Sequence, residues 1–374
     1  MHTFLFSLIF STVFVLLNFY IYKRLILKLD LKQHTKRLLN IFLVVNFFGV
    51  IGYLIARYYI GLPNWLYFLL SLPIGVLFLL FCTTIIYDIS RVILSKFPMP
   101  LGRRKFLKKS LDVSSLVLAG SLSARALYEA KCVEIENVTI QIKNLQQPYT
   151  IVQLSDIHIG GLIDVEFIKD IVRKVNLLSP DLVVITGDLV DTNIAYAKDA
   201  LEELKNLQSN YGTYFILGNH EYFHEIEKII TSVKSLGIRV LENENVYIGE
   251  DKKGFNLAGV YDVFGYRTKT YIPDLEKALL NKVENTPTVL LAHQPRYIYE
   301  VLNGVDLMLS GHTHGGQLYP FRFLVSILQP YIDGLHQHNE RLQIYVNKGT
   351  GFWGPPMRLG ASSEITKIQL KPEK

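Results

Sequence analysis

Three long runs without a charged residue open the chain and constrain its fold more than any other feature. They cover residues 3–22, 38–56 and 58–87. A helix rises about 1.5 Å per residue, so about 20 residues cross the roughly 30 Å hydrocarbon layer of a membrane. Inside that layer the backbone must satisfy its own hydrogen bonds, which a helix does. The sequence therefore predicts a membrane domain, residues 1–100, with three transmembrane helices.

Charged residues are divided unevenly along the chain. The whole chain carries 39 Lys and Arg and 33 Asp and Glu, for a net charge of +6. Residues 1–127 alone carry 15 basic and 3 acidic side chains, a charge of +12, which leaves −6 for residues 128–374. The excess of basic residues thus lies beside the apolar runs. There it favours contact with anionic lipid and does not indicate nucleic-acid binding.

The positions of the basic residues also predict how the helices are oriented. They cluster between the first two apolar runs, in residues 23–37, and after the third, in residues 91–109. Membrane loops rich in Lys and Arg stay in the cytoplasm. We therefore expect a multi-pass protein of the cell inner membrane whose N-terminus lies outside.

A basic and apolar linker, residues 101–130, follows the third run and begins LGRRKFLKKSLDVSSLVLAGSLSARA. The paired Arg103 and Arg104, the Phe-Leu-Lys after them and the Ala-Arg-Ala end resemble a twin-arginine export signal. Our expectation is export, which would place the following domain in the periplasm or otherwise outside the cytoplasm. The uncharged stretch 113–124 is short for a membrane span. The alternative is an interfacial linker that leaves the domain in the cytoplasm.

Strand and helix patterns alternate in residues 131–374. Strand-like runs cover 149–156, 181–188, 212–219, 254–260, 287–293 and 305–312. Helical patterns cover 165–178, 196–207 and 221–236, with a short helix after Pro295. This alternation predicts an α/β domain whose sheet is covered on both faces.

Polar residues follow five of these strand-like runs at the point where each run ends. They are Asp, Asn and His, and they lie in the blocks SDIHIG (155–160), GDLVD (187–191), GNHE (218–221), LAHQP (291–295) and SGHTHGGQ (310–317). In the last block, His312 and His314 are two residues apart, so both side chains can face one cavity. Carboxylate, imidazole and amide ligands together suit Mn²⁺, Fe²⁺ or Zn²⁺ better than Ca²⁺ or Mg²⁺. The blocks therefore predict a metal site where the strands end.

These five blocks, in this order, resemble the calcineurin-like metallophosphoesterases, whose pattern is D-x-H, G-D-x-x-D, G-N-H-[DE], an isolated His and G-H-x-H. The match covers roughly residues 149–370. GHTHGGQ and the later GTGFWGPPMRLGASSEIT (349–366) are similar to the bacterial membrane-attached branch, the twin-arginine-signal type phosphodiesterases. The resemblance implies a four-layer α/β sandwich, with two mixed sheets flanked by helices, around a dinuclear metal centre.

The resemblance also implies a role for each residue of the motifs. Seven residues would hold two divalent cations: Asp156, His158 and His314 the first, Asn219, His293 and His312 the second, and Asp188 both. His220 would not bind metal but would face the leaving group, and Asp191 would orient it. Two ions about 3.5–4 Å apart lower the pKa of a shared water and align it for in-line attack on phosphorus.

The expected activity is that of a metal-dependent phosphoric ester hydrolase, acting through metal-activated hydroxide. A lipid-linked phosphodiester or pyrophosphate is the predicted substrate, because membrane helices raise the enzyme's concentration beside lipids. One alternative is a cytoplasm-facing UDP-diacylglucosamine pyrophosphatase of lipid A synthesis. Another is a catalytically silent, metal-bound membrane scaffold. The pair His220 and Asp191 argues against the scaffold, which has no use for a leaving-group acid.

Two features after the last motif have open interpretations. Residues 319–335, YPFRFLVSILQPYIDGL, are unusually apolar for a loop beside a metal centre. They predict either a lipid-facing lip or an ordinary packed helix. His336 and His338 form a second His-x-His, but no strand and glycine frame precedes them, which favours a surface or substrate-side loop.

Overall fold

The computed structural model describes residues 2–57, 62–250 and 253–373. The chain divides into two compact units. The helical unit comprises Met1–Tyr128 and the short segment Gly354–Leu359, and the sheet unit comprises Glu129–Trp353 and Gly360–Lys374. Residues 101–128, which the sequence assigns to a linker, therefore group with the helical unit.

The helical unit contains four long helices: α1 (His2–Ile21), α2 (Gln33–Ala56), α3 (Asn64–Lys96) and α4 (Leu101–Glu129). A π-helical turn, Tyr22–Ile26, continues α1. Three spans are long and apolar enough to cross a membrane: Ser7–Ile26, Gln33–Ala56 and Asn64–Lys96. They confirm the three predicted transmembrane helices, although residues 58–61 of the third predicted run lie outside the described residues.

Apolar side chains both join these helices and cover their outer surface. Ile21, Val50 and Leu77 are fully buried where the helices pack together. Leu16 and Phe48 instead point outward, with 61% and 65% of their surface exposed. Lipid tails are as apolar as a protein interior, so a membrane helix is apolar on both faces. The outer surface of the unit is therefore suited to lipid and unsuited to water.

The fourth helix, α4, differs from the others because it buries an acidic residue. Asp112 is 2% exposed and accepts hydrogen bonds from the Tyr87 hydroxyl (2.7 Å) and from the backbone N–H of Asp30 (2.7 Å). Ala119, two turns later, packs into the apolar core of the unit. Among the described residues, α4 is not one of the helices long and apolar enough to cross a membrane. Residues 101–129 thus form one continuous packed helix.

Two six-stranded mixed sheets form the centre of the sheet unit. The first runs in the order β1 (Val133–Ile142), β12 (Ser363–Pro372), β2 (Tyr149–Leu154), β3 (Leu182–Thr186), β4 (Thr213–Ile216) and β5 (Arg239–Val240). The second runs in the order β10 (Gly334–Gln337), β11 (Gln343–Val346), β9 (Leu307–Ser310), β8 (Thr288–Leu291), β7 (Phe255–Gly259) and β6 (Glu244–Ile248). The middle strands of each sheet are parallel, β2 to β4 in the first and β7 to β9 in the second.

Helices cover the outer faces of both sheets. They are α5 (Val165–Leu177), α6 (Ile194–Glu202), α7 (Ile226–Ser235), α8 (Phe264–Thr268) and α9 (Leu275–Ala278). A further helix, α10 (Arg322–Leu328), buries none of its residues. Successive residues of a strand point to opposite faces. Val183 accordingly packs with α5, α6 and α7, whereas Val184 packs between the two sheets. The predicted four-layer α/β sandwich is confirmed.

One helix begins later than its sequence predicts. The pattern from Glu221 to Leu236 predicts a single helix, but Glu221–Phe223 is one 3-10 turn and α7 starts at Ile226. His224 between them is extended, with φ −122° and ψ −170°. The side chain of Glu221 is drawn into the end of the first sheet, as described below. The chain can therefore enter α7 only after this turn.

The buried contact of Asp112 generates a stability prediction. Asp112→Leu leaves the Tyr87 hydroxyl and the Asp30 N–H without an acceptor, and each unmade buried bond costs about 1–3 kcal/mol. We expect a lower unfolding temperature of the full chain in detergent, measured by loss of the monodisperse size-exclusion peak. Val113→Ala, at an outward-facing neighbour, is the control. Tyr87→Phe combined with Asp112→Leu should cost less than the sum of the two single changes, and strict additivity would contradict the contact.

Candidate metal centre

Five loops at one end of the sheet unit carry the candidate residues. They follow β2, β3, β4, β8 and β9. Backbone hydrogen bonds continue beyond the strands and join the loops. Asp156 donates to the Gly187 carbonyl (3.0 Å), and Gly311 donates to the His293 carbonyl (2.9 Å). The parallel strands of both sheets thus bring together side chains that are up to 158 residues apart in the sequence.

The backbone of these loops is strained where the candidate ligands lie. Five of them have a left-handed φ: Asp156 (50°), His158 (56°), Asp188 (50°), His312 (70°) and His314 (51°). A residue with a side chain rarely adopts this conformation, and it costs on the order of 1–3 kcal/mol. Such strain persists only where the surrounding structure enforces it. Its concentration here is typical of a functional site.

Two motif glycines allow the loops to approach this closely. A Cβ atom on Gly218 would collide with the carboxylate of Asp188. A Cβ atom on Gly311 would collide with the side chains of Ser155 and Asp156. The glycines of GNHE and GHTH are therefore required by the packing of the ligand residues themselves.

The first candidate ligand group consists of Asp156, His158 and His314. Their side-chain atoms converge: His158 Nε2 lies 3.1 Å from His314 Nε2, which lies 3.4 Å from Asp156 Oδ1. Asp156 Oδ2 accepts bonds from the Ser155 hydroxyl (2.5 Å) and the His312 N–H (2.8 Å), while the buried Oδ1 accepts none. Asp156 Oδ1 is therefore a buried acceptor that faces the imidazole nitrogens of this group. A divalent cation between them fits this donor set.

The second group consists of Asp188, His293 and His312, with Asn219 beside them. His293 Nε2 lies 3.2 Å from both Asp188 Oδ2 and Asn219 Oδ1. His293 Nδ1 donates to the Thr186 carbonyl (2.8 Å), which turns Nε2 toward the site. The ring of His312 meets that of His293 at 5.1 Å, nearly perpendicular. The structure thus brings together the four side chains that the sequence assigned to the second ion.

Asp188 lies between the two groups. Its Oδ2 is 3.2 Å from His293 Nε2, 3.9 Å from His158 Nε2 and 3.9 Å from His220 Nε2. Its other oxygen accepts the backbone N–H of His220 (2.7 Å), which fixes the orientation of the carboxylate. One oxygen therefore reaches ligands of both groups, as a bridging position requires.

His220 and Asp191 form a pair at the edge of the two groups. Asp191 Oδ1 lies 2.8 Å from His220 Nδ1, so it holds the ring with Nε2 turned toward the site. Asp191 also lies 3.7 Å from His224 Nε2. The cluster His158, Asp191 and His220 satisfies the spacing of a metal site as well. Because Asp191 is already bonded to His220 Nδ1, the geometry agrees with a carboxylate that orients the imidazole.

Burial sets the charges within the site. Burial, with a contribution from His220, lowers the pKa of His158 to about 3, and burial with His293 does the same for His312. Burial alone would raise the pKa of Asp188, but the charges of His293 and His220 hold it well below its usual range. Burial alone would lower the pKa of His293, but the charge of Asp188 raises it well above its usual value. The site thus combines neutral imidazoles at His158 and His312 with a cationic His293 beside the ionised Asp188.

Sequence reasoning assigned no role to Glu221, which the structure shows to be central. Its buried carboxylate accepts four backbone N–H bonds: Gly218 (2.7 Å), Asp188 (3.1 Å), Leu189 (2.8 Å) and Val190 (3.1 Å). It thereby joins the loops after β3 and β4. Burial and the charge of Asp188 raise its pKa to about 7. The position of this acidic residue directly after the His of GNHE was the sequence feature that could have indicated its role.

Trp353 and Gln317 were also missed as parts of the site. The Gln317 side chain donates to the Trp353 carbonyl (2.9 Å) and accepts the Trp353 N–H (3.1 Å). This places the indole ring 5.7 Å from the His220 ring. Phe223 meets the same imidazole at 5.6 Å. The centre is therefore lined by aromatic rings on the side of His220.

The second His-x-His lies apart from these groups. His336 donates to the Asp333 carbonyl (2.7 Å) and stacks on Tyr331 at 4.8 Å. His338 Nδ1 lies 3.1 Å from the Tyr331 hydroxyl. Neither histidine belongs to a metal-ligand group among the described residues. His336 lies in strand β10, paired with Ile344 of β11, and not in the loop that the sequence predicted; only His338 follows the strand.

The contacts of Glu221 predict a structural effect on metal binding by a residue that is not a ligand. Glu221→Gln turns one acceptor oxygen into an NH₂ group that faces two N–H donors, a loss of about 2–5 kcal/mol. We expect a lower unfolding temperature and fewer metal ions per chain, measured by calorimetry and elemental analysis. Glu225→Gln, at a half-exposed neighbour, should change neither. Wild-type metal content and stability in Glu221→Gln would contradict this role.

Comparison with known proteins agrees with this geometry. The family model for calcineurin-like phosphoesterases matches residues 149–316. The chain is 36% identical over 379 residues to a metallophosphoesterase of Campylobacter jejuni and 37% identical over 372 residues to one of Helicobacter pylori, with 99% of both chains covered each time. It is 40% identical over 233 residues to a transmembrane protein with metallophosphoesterase domain of Bos taurus, covering 59% of this chain and 52% of that one. The chain belongs to the calcineurin-like metallophosphoesterases.

Proposed function

We propose that this metallophosphoesterase hydrolyses a lipid-linked phosphodiester or pyrophosphate at a centre that holds two divalent cations. Family membership makes the chain a metal-dependent phosphoric ester hydrolase. The observation that carries the proposal is the position of Asp188, whose Oδ2 lies 3.2 Å from His293 and 3.9 Å from His158. A single carboxylate oxygen within reach of both ligand groups supports two neighbouring ions.

Each candidate residue has a proposed role in holding the ions. One would be bound by Asp156, His158 and His314, the other by Asn219, His293 and His312, with Asp188 shared. Two such ions, when bound, neutralise charge on the phosphoryl group and supply a nucleophile at neutral pH. The donor set of nitrogen, carboxylate and amide oxygen suits Mn²⁺, Fe²⁺ or Zn²⁺.

His220 is the proposed general acid. Its Nδ1 is held by Asp191 at 2.8 Å, so Nε2 is the atom that would give its proton to the leaving-group oxygen. Phe223 and Trp353 flank the imidazole at 5.6 Å and 5.7 Å. These rings line one side of the proposed acid. The pair also speaks against a silent scaffold, because metal binding alone needs neither an acid nor its orienting carboxylate.

The lipid linkage is inferred from the membrane helices. Three spans fix the enzyme in a bilayer. A water-soluble substrate would gain nothing from this placement, whereas a substrate in the same membrane meets the enzyme at high effective concentration.

We also propose that the sheet unit faces the cytoplasm. The sequence favoured export, but α4 supports the alternative. It starts among basic residues that the positive-inside rule keeps in the cytoplasm. Its Asp112 is buried against Tyr87, and among the described residues it is not one of the helices suited to cross a membrane. A cytoplasmic sheet unit also favours a second candidate function, cleavage of the pyrophosphate of UDP-diacylglucosamine.

Activity is the first test. Purified full chain with Mn²⁺ should hydrolyse bis-p-nitrophenyl phosphate, and a chelator should abolish turnover. Asp188→Asn should lose metal, whereas His220→Ala should keep it and turn over lipid-linked substrates about 10²–10⁴-fold more slowly. The rate of His220→Ala should fall less with bis-p-nitrophenyl phosphate, because its nitrophenolate leaving group needs no proton. His338→Ala is the control. Absence of turnover with every metal would reject the proposal, and metal loss in His220→Ala would reverse the roles.

Cysteine labelling tests the side of the membrane. In a background of Cys82→Ser and Cys132→Ser, Lys198→Cys lies on the exposed surface of α6. We expect a membrane-impermeant maleimide to label it only after spheroplasts are lysed. Asn64→Cys, at the first residue of α3 and outside by the positive-inside rule, should be labelled in intact spheroplasts. Labelling of Lys198→Cys in intact spheroplasts, lost when Arg103 and Arg104 are changed to Lys, would establish export instead.

A further inference from the structure

The helix α10, which follows the last metal-binding motif, has an apolar surface that the described residues leave uncovered. No residue of α10 is buried. Phe323, Leu324, Ile327 and Leu328 are 63%, 57%, 78% and 75% exposed. The other long helices of the sheet unit behave differently, since α5 buries Ile168, Ile171 and Val175 against the sheet. The interpretation of residues 319–335 as an ordinary packed helix is not supported.

These four residues, here called the apolar face, share one side of the helix. They occupy positions i, i+1, i+4 and i+5, which span an arc of about 140° at 100° per residue. Arg322 and Val325 lie on the other side and are partly covered by the unit. Apolar surface in water costs about 25 cal/mol per Å². An outward-turned apolar face of this kind marks an interaction site.

Charge and composition favour a lipid surface as the occupant. Arg322 is the helix's one charged residue, and Asp333 neutralises it through two bonds of 2.6 Å and 2.8 Å. No carboxylate would be desolvated when the apolar face enters a membrane. The exposed rings of Tyr319 and Phe321, just before the helix, suit the boundary between headgroups and acyl chains. The chain's own three membrane spans keep a bilayer permanently within reach.

The apolar face is also tied to the metal centre. The Arg322 side chain lies 3.5 Å from the Gly315 carbonyl, directly after the ligand His314. A Cβ atom on Gly316 would collide with the backbone of Arg322. The start of α10 thus packs directly on the loop that carries His312 and His314. A surface bound to α10 would lie beside that loop.

We propose that α10 lies in the membrane interface, with its apolar face inserted at the boundary between headgroups and acyl chains. Insertion holds the metal-ligand loop at the level of lipid headgroups, where a lipid-linked phosphoester is presented without leaving the bilayer. The benefit to catalysis rests on the proposed function, but insertion itself does not.

Fluorescence of the full chain in nanodiscs tests insertion. In the background of Cys82→Ser and Cys132→Ser, Ile327→Cys is labelled with nitrobenzoxadiazole. The matched control is Leu177→Cys, an apolar position at the end of α5 that is 72% exposed. We expect blue-shifted emission at residue 327, quenched by phosphatidylcholine with a doxyl group on its acyl chain. The label at residue 177 should emit as in water and resist the quencher.

Two results would overturn insertion. The first is emission at residue 327 that matches residue 177. The second is blue-shifted emission that lipid doxyl groups do not quench, which would assign the apolar face to a protein partner such as a second copy of the chain.

Turnover of a soluble substrate shows whether changes in the apolar face affect the fold or catalysis as well as membrane insertion. Ile327→Ser combined with Leu328→Ser should keep wild-type turnover of bis-p-nitrophenyl phosphate, because neither side chain is buried. Loss of this turnover would show that α10 supports the fold and would contradict a purely interfacial role. If the unmodified chain hydrolyses no phosphoester while residue 327 is quenched by lipid, the proposed function fails and the insertion stands.

Discussion

The sheet unit is organised around one buried carboxylate, Asp188. Imidazoles from three different loops bring a nitrogen within 3.9 Å of a single oxygen of this group. A charge at such a depth needs compensation, which backbone N–H donors and cationic or metal partners provide. The strained φ of the ligand residues and the absence of a Cβ at Gly218 follow from this requirement. The unfavourable left-handed backbone at these residues is the energetic cost of bringing the candidate ligands into contact.

Glu221 shows how the two parallel strands are held in the register that the site requires. Its four N–H bonds connect the loop after β3 to the loop after β4. The same residue breaks the helical pattern of residues 221–236, because its side chain turns inward while the chain outside goes on to α7. The inward turn of Glu221 thus both joins the two loops and delays the start of α7.

The membrane and the catalytic chemistry occupy different parts of the sequence, and the charges reflect this division. The excess of basic residues lies around the apolar spans, where lipid headgroups are anionic. The net negative charge lies in the sheet unit, which contributes Asp156 and Asp188 to the candidate metal centre. The helix α10 departs from this division, since it places an apolar face on the sheet unit. Because the start of α10 contacts the loop of His312 and His314, whatever binds this apolar face lies beside the candidate metal centre.

The sequence by itself determined the three spans, the strand ends and the identity of the motif residues, because each depends on local composition or on side chains next to a strand. It did not determine the partners of Glu221, the reciprocal bonds of Gln317 and Trp353, or the burial of Asp112 against Tyr87. These contacts join residues that are distant in the chain, or are directed by a fold that no local pattern encodes. Strands such as β12, which pairs with β1 and β2, were likewise left unassigned, since long-range pairing decides their place. Whether residues 319–335 pack or stay exposed was decided only by the tertiary structure, because burial depends on which surface the finished fold leaves beside them.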